Sequence, residues 1–221
     1  MKKKAILIIL AGGKSSRMSF PKGLLTHNSS FWLLSQIENF SGEEVYIGLG
    51  FDYQKYFDAI PWLQKAVENS QNYQQKKVRI VINKTPEFGL FSTLLAVLKV
   101  LDRVYLEQNR KARTDKSILI LPVDVPLLKS SELEKIIHKK NQIVIPTYKN
   151  KNGHPVKLAS EFWKSLLELN VSDKGSRLDV QIKKRNASEI SFVEINDASI
   201  LKNLNTPKDW QGFLLNNEMP F

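Results

Sequence analysis

The chain has 221 residues, 42% of them hydrophobic, and 33 Lys and Arg against 22 Asp and Glu, for a formal net charge of +11. That length and apolar share are enough for a substantial core, and ten glycines and nine prolines are too few for bulk disorder. The absence of cysteine excludes disulfides, thiolate metal sites and a cysteine nucleophile.

Three scattered histidines, His27, His138 and His154, do not suggest zinc, so any metal is expected to be a hard cation on oxygen ligands. The positive charge suits nucleic acid, anionic lipid or a highly phosphorylated small substrate, and does not choose among them. No apolar stretch approaches the roughly 18 residues of a membrane span, and Lys2 to Lys4 precede only a short apolar run, so a cytoplasmic protein is expected.

In chain order, apolar and β-branched runs predict strands over Ala5–Leu10, Val45–Leu49, Val78–Ile82, Ser117–Leu121, Gln142–Ile145 and Ser191–Glu194. Helical spacing predicts helices over Phe31–Phe40, Phe91–Val104, Ser131–Lys139, Ser160–Leu169, Ser176–Lys184 and Pro207–Leu215. Strands alternating with helices of this length imply βαβ units and a mostly parallel sheet. The expected fold is therefore α/β, a single-domain Rossmann-like three-layer α/β/α sandwich over residues 1–221. Two polar stretches, Gln64 to Lys77 and Glu107 to Lys116, read as solvated surface excursions. The second is basic but lacks interleaved aromatics, which argues against docking of nucleic acid.

The first strand empties into Leu10-Ala11-Gly12-Gly13-Lys14-Ser15-Ser16-Arg17-Met18, followed by Pro21-Lys22. Gly12 and Gly13 can adopt backbone angles closed to other residues and let main-chain N–H groups approach an anion. Lys14, Arg17 and Lys22 add cations, and Ser15 and Ser16 add hydroxyl donors. A polyphosphate would satisfy all of them. The loop is neither a P-loop nor a Gly-x-Gly-x-x-Gly fingerprint.

A second apolar strand ends in Leu121-Pro122-Val123-Asp124-Val125-Pro126, which delivers a carboxylate to the sheet edge where open parallel sheets bind ligands. An aspartate there can also cap a helix, but Pro126 fixes a turn that holds Asp124 away from the helix start. Further along come Asn152-Gly153-His154-Pro155, a turn entering a strand, and Ser172-Asp173-Lys174-Gly175-Ser176-Arg177. The stretch Asn203-Leu204-Asn205-Thr206-Pro207 reads as a capped helix start, with Pro207 in the first turn. Glu87-Phe88-Gly89-Leu90-Phe91-Ser92 places a glycine and a hydroxyl at another helix start, where unpaired N–H groups can meet polar ligand atoms or simply form a turn.

The glycine loop with Pro21-Lys22 resembles the signature of the nucleotidyltransferases, in particular the molybdenum-cofactor family of guanylyl- and cytidylyltransferases related to MobA and MocA. The resemblance runs over nearly the whole chain. It is strongest at the first loop, around Asp124 and at the last helix, and weakest between about residues 50 and 85. It implies the nucleotide-diphospho-sugar transferase type of fold and transfer of a nucleoside monophosphate from a nucleoside triphosphate to a phosphorylated acceptor, with release of pyrophosphate.

By the same resemblance, nucleotide binding falls to Leu10, Ala11, Gly12, Gly13, Lys14, Ser15, Ser16, Arg17, Lys22, Gly89 and Ser92. Arg17, Lys22 and Asp124 would be catalytic, with Lys14 and Arg17 on the β and γ phosphates and Lys22 on the α-phosphate. Asp124 would hold Mg²⁺ together with Asn203 and Asn205, and His154, Lys174 and Arg177 would face the acceptor. Phe88 and Phe91 depart from the family's small residues and would narrow the pocket. Gly-His-Pro is similar to the cytidylyl branch and the Asn203/Asn205 pair to the guanylyl branch, so CTP and GTP both stay open as donor.

The resemblance implies molybdopterin as acceptor, with a molybdoenzyme or chaperone as partner. A sugar or polyol phosphate is the alternative acceptor. The asparagine pair, which removes charge from the metal shell, also keeps open a nucleotide-binding protein with impaired catalysis.

Overall fold

The computed structural model describes residues 5–108, 116–173 and 175–217. Its strands are β1 (Ile6–Ala11), β2 (Thr26–His27), β3 (Ser30–Phe31), β4 (Glu44–Leu49), β5 (Gln71–Tyr73), β6 (Lys76–Ile82), β7 (Ile118–Pro122), β8 (Ile143–Tyr148), β9 (Lys151–Asn152), β10 (Val156–Leu158) and β11 (Ile190–Glu194). The helices are α1 (Trp32–Asn39), α2 (Tyr53–Ala59), α3 (Trp62–Glu68), α4 (Leu90–Gln108), α5 (Ser130–Ile137), α6 (Ser160–Ser165), α7 (Leu178–Lys183) and α8 (Pro207–Asn217).

Nine strands form one mixed sheet in the order β11-β8-β10-β7-β1-β4-β6-β5, with β9 on β8, while β2 and β3 make a separate hairpin. The long strands β7, β1, β4 and β6 run parallel, as do β11 and β8. Among the described residues, antiparallel pairing is confined to the short strands β5, β9 and β10 and the separate hairpin. This is the expected mostly parallel α/β sheet.

The alternation along β1 explains the layering. Leu7, Ile9 and Ala11 enter one buried cluster, with side chains of α1, α2, α3, α5 and α8, whereas Ile6, Ile8 and Leu10 enter a second, with α4 and α6. A strand buried on both faces has to be apolar at every position, and all six residues of β1 are buried. In α4 the buried Leu94, Leu95, Leu98 and Leu101 fall on one helical stripe facing that second cluster.

Two expectations need correction. Gln64 to Lys77 is not a simple excursion: it includes most of α3, all of edge strand β5 and the first residues of β6. Leu63 and Ala66 of α3 are fully buried, and Trp62 stacks on Tyr73 at 5.1 Å between ring centroids. Of Glu107 to Lys116, the first two residues end α4, residues 109–115 lie outside the described residues, and Lys116 forms an ion pair with Glu44. Among the described residues no helix is long and apolar enough to cross a membrane.

Candidate active site

Strands β1 and β7 lie side by side in parallel, with Leu10 opposite Pro122. Both end at the same edge, and the Val123 N–H donates to the Leu10 carbonyl at 3.0 Å. The chain turns to β4 on one side of β1 and to β7 on the other, so the crevice between their C-terminal ends is the switch point at which such sheets bind ligands. The glycine loop enters it from β1 and Asp124 from β7.

Gly12 and Gly13 do not use the left-handed backbone their residue type permits. Positive φ in the loop falls on Ser15 at 49° and Ser19 at 57°. Gly12 is required for close approach instead, since a Cβ there would lie 2.4 Å from the Thr93 hydroxyl oxygen. Gly13 is exposed and faces open space. Lys14, Ser16 and Arg17 are exposed, with the Lys14 ammonium 4.8 Å from the centre of the Phe51 ring. The buried Met18 anchors the loop.

The Lys22 ammonium donates to Asp124 Oδ2 at 2.7 Å and to Asn205 Oδ1 at 2.6 Å. An ammonium carries donors only, so the amide must present its oxygen. Carboxylate and amide oxygens thus converge on one cation, and Lys22 and Asp124 line a cavity of about 120 Å³ together with Leu10, Ala11, Gly13 and Ser15. Two oxygen donors already gathered around a positive charge fit a hard divalent ion that takes its remaining ligands from phosphate and water. Asn203 does not join them: it is exposed and its amide donates to the Leu201 carbonyl at 3.3 Å, so the expected asparagine pair reduces to Asn205. Among the described residues no three His, Cys, Asp or Glu side chains cluster as metal ligands.

The supports of this cluster are distant in sequence. Trp32 Nε1 donates to the Val123 carbonyl at 2.7 Å. The buried Gln36 donates to the carbonyls of Val123 and Val125 at 3.2 and 3.1 Å and accepts from Leu127 N–H at 2.8 Å. Asn205 is held at the start of α8 by a reciprocal cap, in which Asp209 accepts from Thr206 N–H at 2.8 Å and Thr206 Oγ1 accepts from Asp209 N–H at 3.2 Å. The Thr206 hydroxyl, which also donates to Asp209 Oδ2 at 2.8 Å, and then the Thr206 N–H hold the Asp209 carboxyl below its ordinary range. Neither Trp32 nor Gln36 belongs to a motif, and neither was singled out from the sequence; their place on the predicted helix Phe31–Phe40 is the one signal that could have found them.

A larger cavity of about 610 Å³ adjoins the first, sharing Leu10, Leu90 and Pro122 with it. Gly89, His154 and Arg177 all line it, so a residue expected at the nucleotide and two expected at the acceptor face the same space. Gly89 has φ of +84°, which glycine alone adopts without strain. Phe88 and Phe91 line the wall, as the reading of a narrowed pocket requires. Ser92 does not present its hydroxyl there: it is buried, 2.7 Å from the Gly89 carbonyl, and accepts from Asn83 Nδ2 at 2.8 Å. Its expected nucleotide contact gives way to support of the Gly89 turn.

The Arg177 guanidinium is exposed and doubly bonded to Asp179, at 3.0 and 3.3 Å. Lys174 lies outside the described residues. Burial lowers the His154 pKa, against the opposing pull of the Ile120 carbonyl and the Asp124 charge, and its buried Nδ1 has no hydrogen-bond partner among the described residues. The folded state therefore binds this proton less readily than the unfolded state. Stability is fully present above the ordinary imidazole value near pH 6.5 and lost as pH falls toward the lowered one. Denaturant titrations from pH 8 to 5 are expected to show a shallower loss for His154→Gln than for wild type, and parallel profiles would contradict this.

A mostly parallel sheet whose central strands deliver a glycine- and lysine-bearing loop and a carboxylate to one crevice at their C-terminal ends belongs to the ligand-binding α/β class. The chain belongs to the MobA-like NTP transferase domain family, whose model matches residues 7–185. No functionally curated protein matches it in sequence. Among solved structures, a nucleotidyl transferase from Methanothermobacter thermautotrophicus superposes with a TM-score of 0.70 at 17% identity, over 97% of this chain and 99% of the other. Molybdopterin-guanine dinucleotide biosynthesis protein A from Archaeoglobus fulgidus gives a TM-score of 0.64 at 14% identity, over 97% and 100%. Rv0371c of Mycobacterium tuberculosis, solved in complex with manganese, gives 0.61 at 18%, over 96% and 98%. At these identities the likeness is one of fold.

Proposed function

We propose that the chain acts as one nucleotidyltransferase domain that transfers a nucleoside monophosphate from CTP or GTP to the terminal phosphate of molybdopterin, releasing pyrophosphate. The observation that carries this is the pair of adjoining cavities, a polar cradle around Lys22 and Asp124 opening into a larger space walled by Leu90, Phe91, Leu94, Ile120, Val156 and Leu178. Apolar walls suit a flat fused-ring acceptor that carries its charge at one end. A sugar or polyol phosphate would ask instead for hydrogen-bonding walls.

An acceptor phosphate oxygen attacks the α-phosphorus, a new P–O bond forms, and the bond from the α-phosphorus to the bridging oxygen breaks. Pyrophosphate leaves with the electron pair. The chain's task is to bring two anions into line and balance their charge. Lys22 reaches the α-phosphate from the cradle it lines, while Lys14 and Arg17, exposed on the loop, take the β and γ phosphates. Gly13 leaves room for the phosphate against the main chain. A divalent cation held by Asp124 and Asn205 would neutralise phosphate charge, a role consistent with the manganese complex of one fold neighbour. His154, uncharged near neutral pH, orients the acceptor without attracting its phosphate away from the reacting end.

Pyrophosphate release tests this, using CTP, GTP, ATP and UTP in turn with molybdopterin, a sugar phosphate or a polyol phosphate, with and without Mg²⁺ or Mn²⁺. The expected result is metal-dependent release with molybdopterin and one of the first two triphosphates. Release only with a sugar or polyol phosphate overturns the acceptor, and no release with any pair overturns the transferase.

A further inference from the structure

We propose that Lys22 is the resident cation of the metal site, and that a divalent ion enters only together with a nucleotide, whose phosphate draws the ammonium off Asp124. This deepens the transferase reading and rests on it for the nucleotide half.

The argument begins with charge. The Lys22 ammonium stands 2.7 Å from Asp124 Oδ2 and 2.6 Å from Asn205 Oδ1, where both oxygens would otherwise face an incoming ion. Asn205 is neutral, so the three side chains sum to zero. A dication approaching this arrangement meets no net charge, because the ammonium's repulsion offsets much of the carboxylate's attraction. The side chains of Lys22 and Asp124 are only 13% and 19% exposed, so water screens the pair less than it would a surface pair. An aspartate at 205 would leave one net negative charge and a metal site without help. The amide makes occupancy depend on where Lys22 points.

The local structure lets the side chain move while its backbone stays. Lys22 opens a short 3₁₀ turn whose next residues, Gly23 and Leu24, are buried. Leu24 N–H donates to the Pro21 carbonyl at 2.9 Å and Leu25 N–H to the Lys22 carbonyl at 3.2 Å. The four-carbon stem carries several rotatable bonds above this anchor, through which the ammonium can be redirected. Lys22 also lines the same small cavity as Gly13 and Ser15, so a phosphate seated on the loop lies within reach of the ammonium without any main-chain shift. One nucleotide therefore both removes the competing cation and adds anionic ligands, and metal and nucleotide bind as strongly coupled partners.

The experiment measures free Mn²⁺ by electron paramagnetic resonance during titration of wild type, Lys22→Met and Asn205→Asp, first without nucleotide and then with the α,β-methylene analogues of CTP and GTP. Without nucleotide, both variants are expected to bind Mn²⁺ about tenfold more tightly than wild type, the order set by one unit charge a few ångströms away in a half-buried site. With an analogue present, wild type is expected to rise to at least the affinity of Lys22→Met. Equal nucleotide-free affinities across the three proteins overturn the proposal, while the transferase reading stands or falls separately on pyrophosphate release. Wild-type uptake that no analogue raises overturns the coupling. Asn205→Asp keeps Lys22 in place, so the comparison survives if Lys22→Met fails to fold.

Discussion

Asp124→Ala is expected to lower kcat for pyrophosphate release by about 100- to 1000-fold while changing the apparent affinity for the triphosphate only a few-fold. The asymmetry follows from what each group touches. On the proposed mechanism the triphosphate would be gripped mainly by loop N–H groups, Lys14 and Arg17, none of which contacts Asp124, whereas the carboxylate would act where charge develops on the transferring phosphate. Asp124 also orients Lys22, the cation that lines the small cradle. Its removal leaves the ammonium on Asn205 alone. The fold should tolerate the change, because the bond that ties α8's approach to this strand end runs to the Asp124 carbonyl, from Leu204 N–H at 2.8 Å, and not to the side chain. Asp124→Asn separates charge from oxygen donation and should fall between alanine and wild type. Unchanged turnover of Asp124→Ala at saturating Mg²⁺ would rule the role out.

The sheet was legible because the interior of a parallel sheet leaves little choice of residue. All six predicted strands appear within about three residues of their expected ends, and β1, β4, β7 and β8, buried on both faces along nearly their whole length, read as almost unbroken apolar runs. The short strands were not legible, for a specific reason. Three two-residue hairpins turn at Asn28-Ser29, Gln74-Gln75 and Lys149-Asn150, each with both φ angles positive, and none contains the glycine that advertises such a turn. Helix α3 was hidden by its exposed face: Gln64 and Lys65 give the stretch a polar look, while Leu63 and Ala66 point inward.

The candidate site divides along the same line. Of the residues contiguous with a motif, Leu10, Ala11, Gly13, Ser15, Lys22 and Asp124 line one small cavity, whereas Lys14, Ser16 and Arg17 lie exposed on the loop. Asn203 and Asn205, which the family resemblance paired at the metal, do not both converge: the Asn205 N–H donates to the Asn203 carbonyl at 2.8 Å, closing a tight turn, and Asn203 faces solvent while Asn205 reaches Lys22. The long-range braces carry no signature. An aromatic cluster sets Trp32 against Trp210 at 5.5 Å and Phe213 at 5.1 Å, and so links the helix that holds Val123 to the helix that begins beside Asn205. Both sides of the Lys22 cluster rest on that contact, which forms only once the chain has folded.

Gln36→Leu is expected to destabilise the protein by about 2 to 5 kcal/mol and to reduce turnover in the fraction that remains folded. The side chain is 1% exposed and matches three backbone groups of the segment that carries Asp124. Leucine is close in size, so packing changes little, and what is lost is hydrogen bonding. The Val123 carbonyl keeps its bond from Trp32, but the Val125 carbonyl and the Leu127 N–H lose the partner that Gln36 gives them, at roughly 1 to 3 kcal/mol for each buried group left unsatisfied. Against a typical total of about 5 to 15 kcal/mol this is a large fraction. The released segment would let Asp124 drift from Lys22 and Asn205, and a displacement of about 1 Å is enough to lower phosphoryl-transfer rates substantially. Urea denaturation with parallel pyrophosphate-release assays checks both parts. A variant within about 0.5 kcal/mol of wild type and equally active would mean that the turn at Asp124 is held by Pro122 and Pro126 without help from α1.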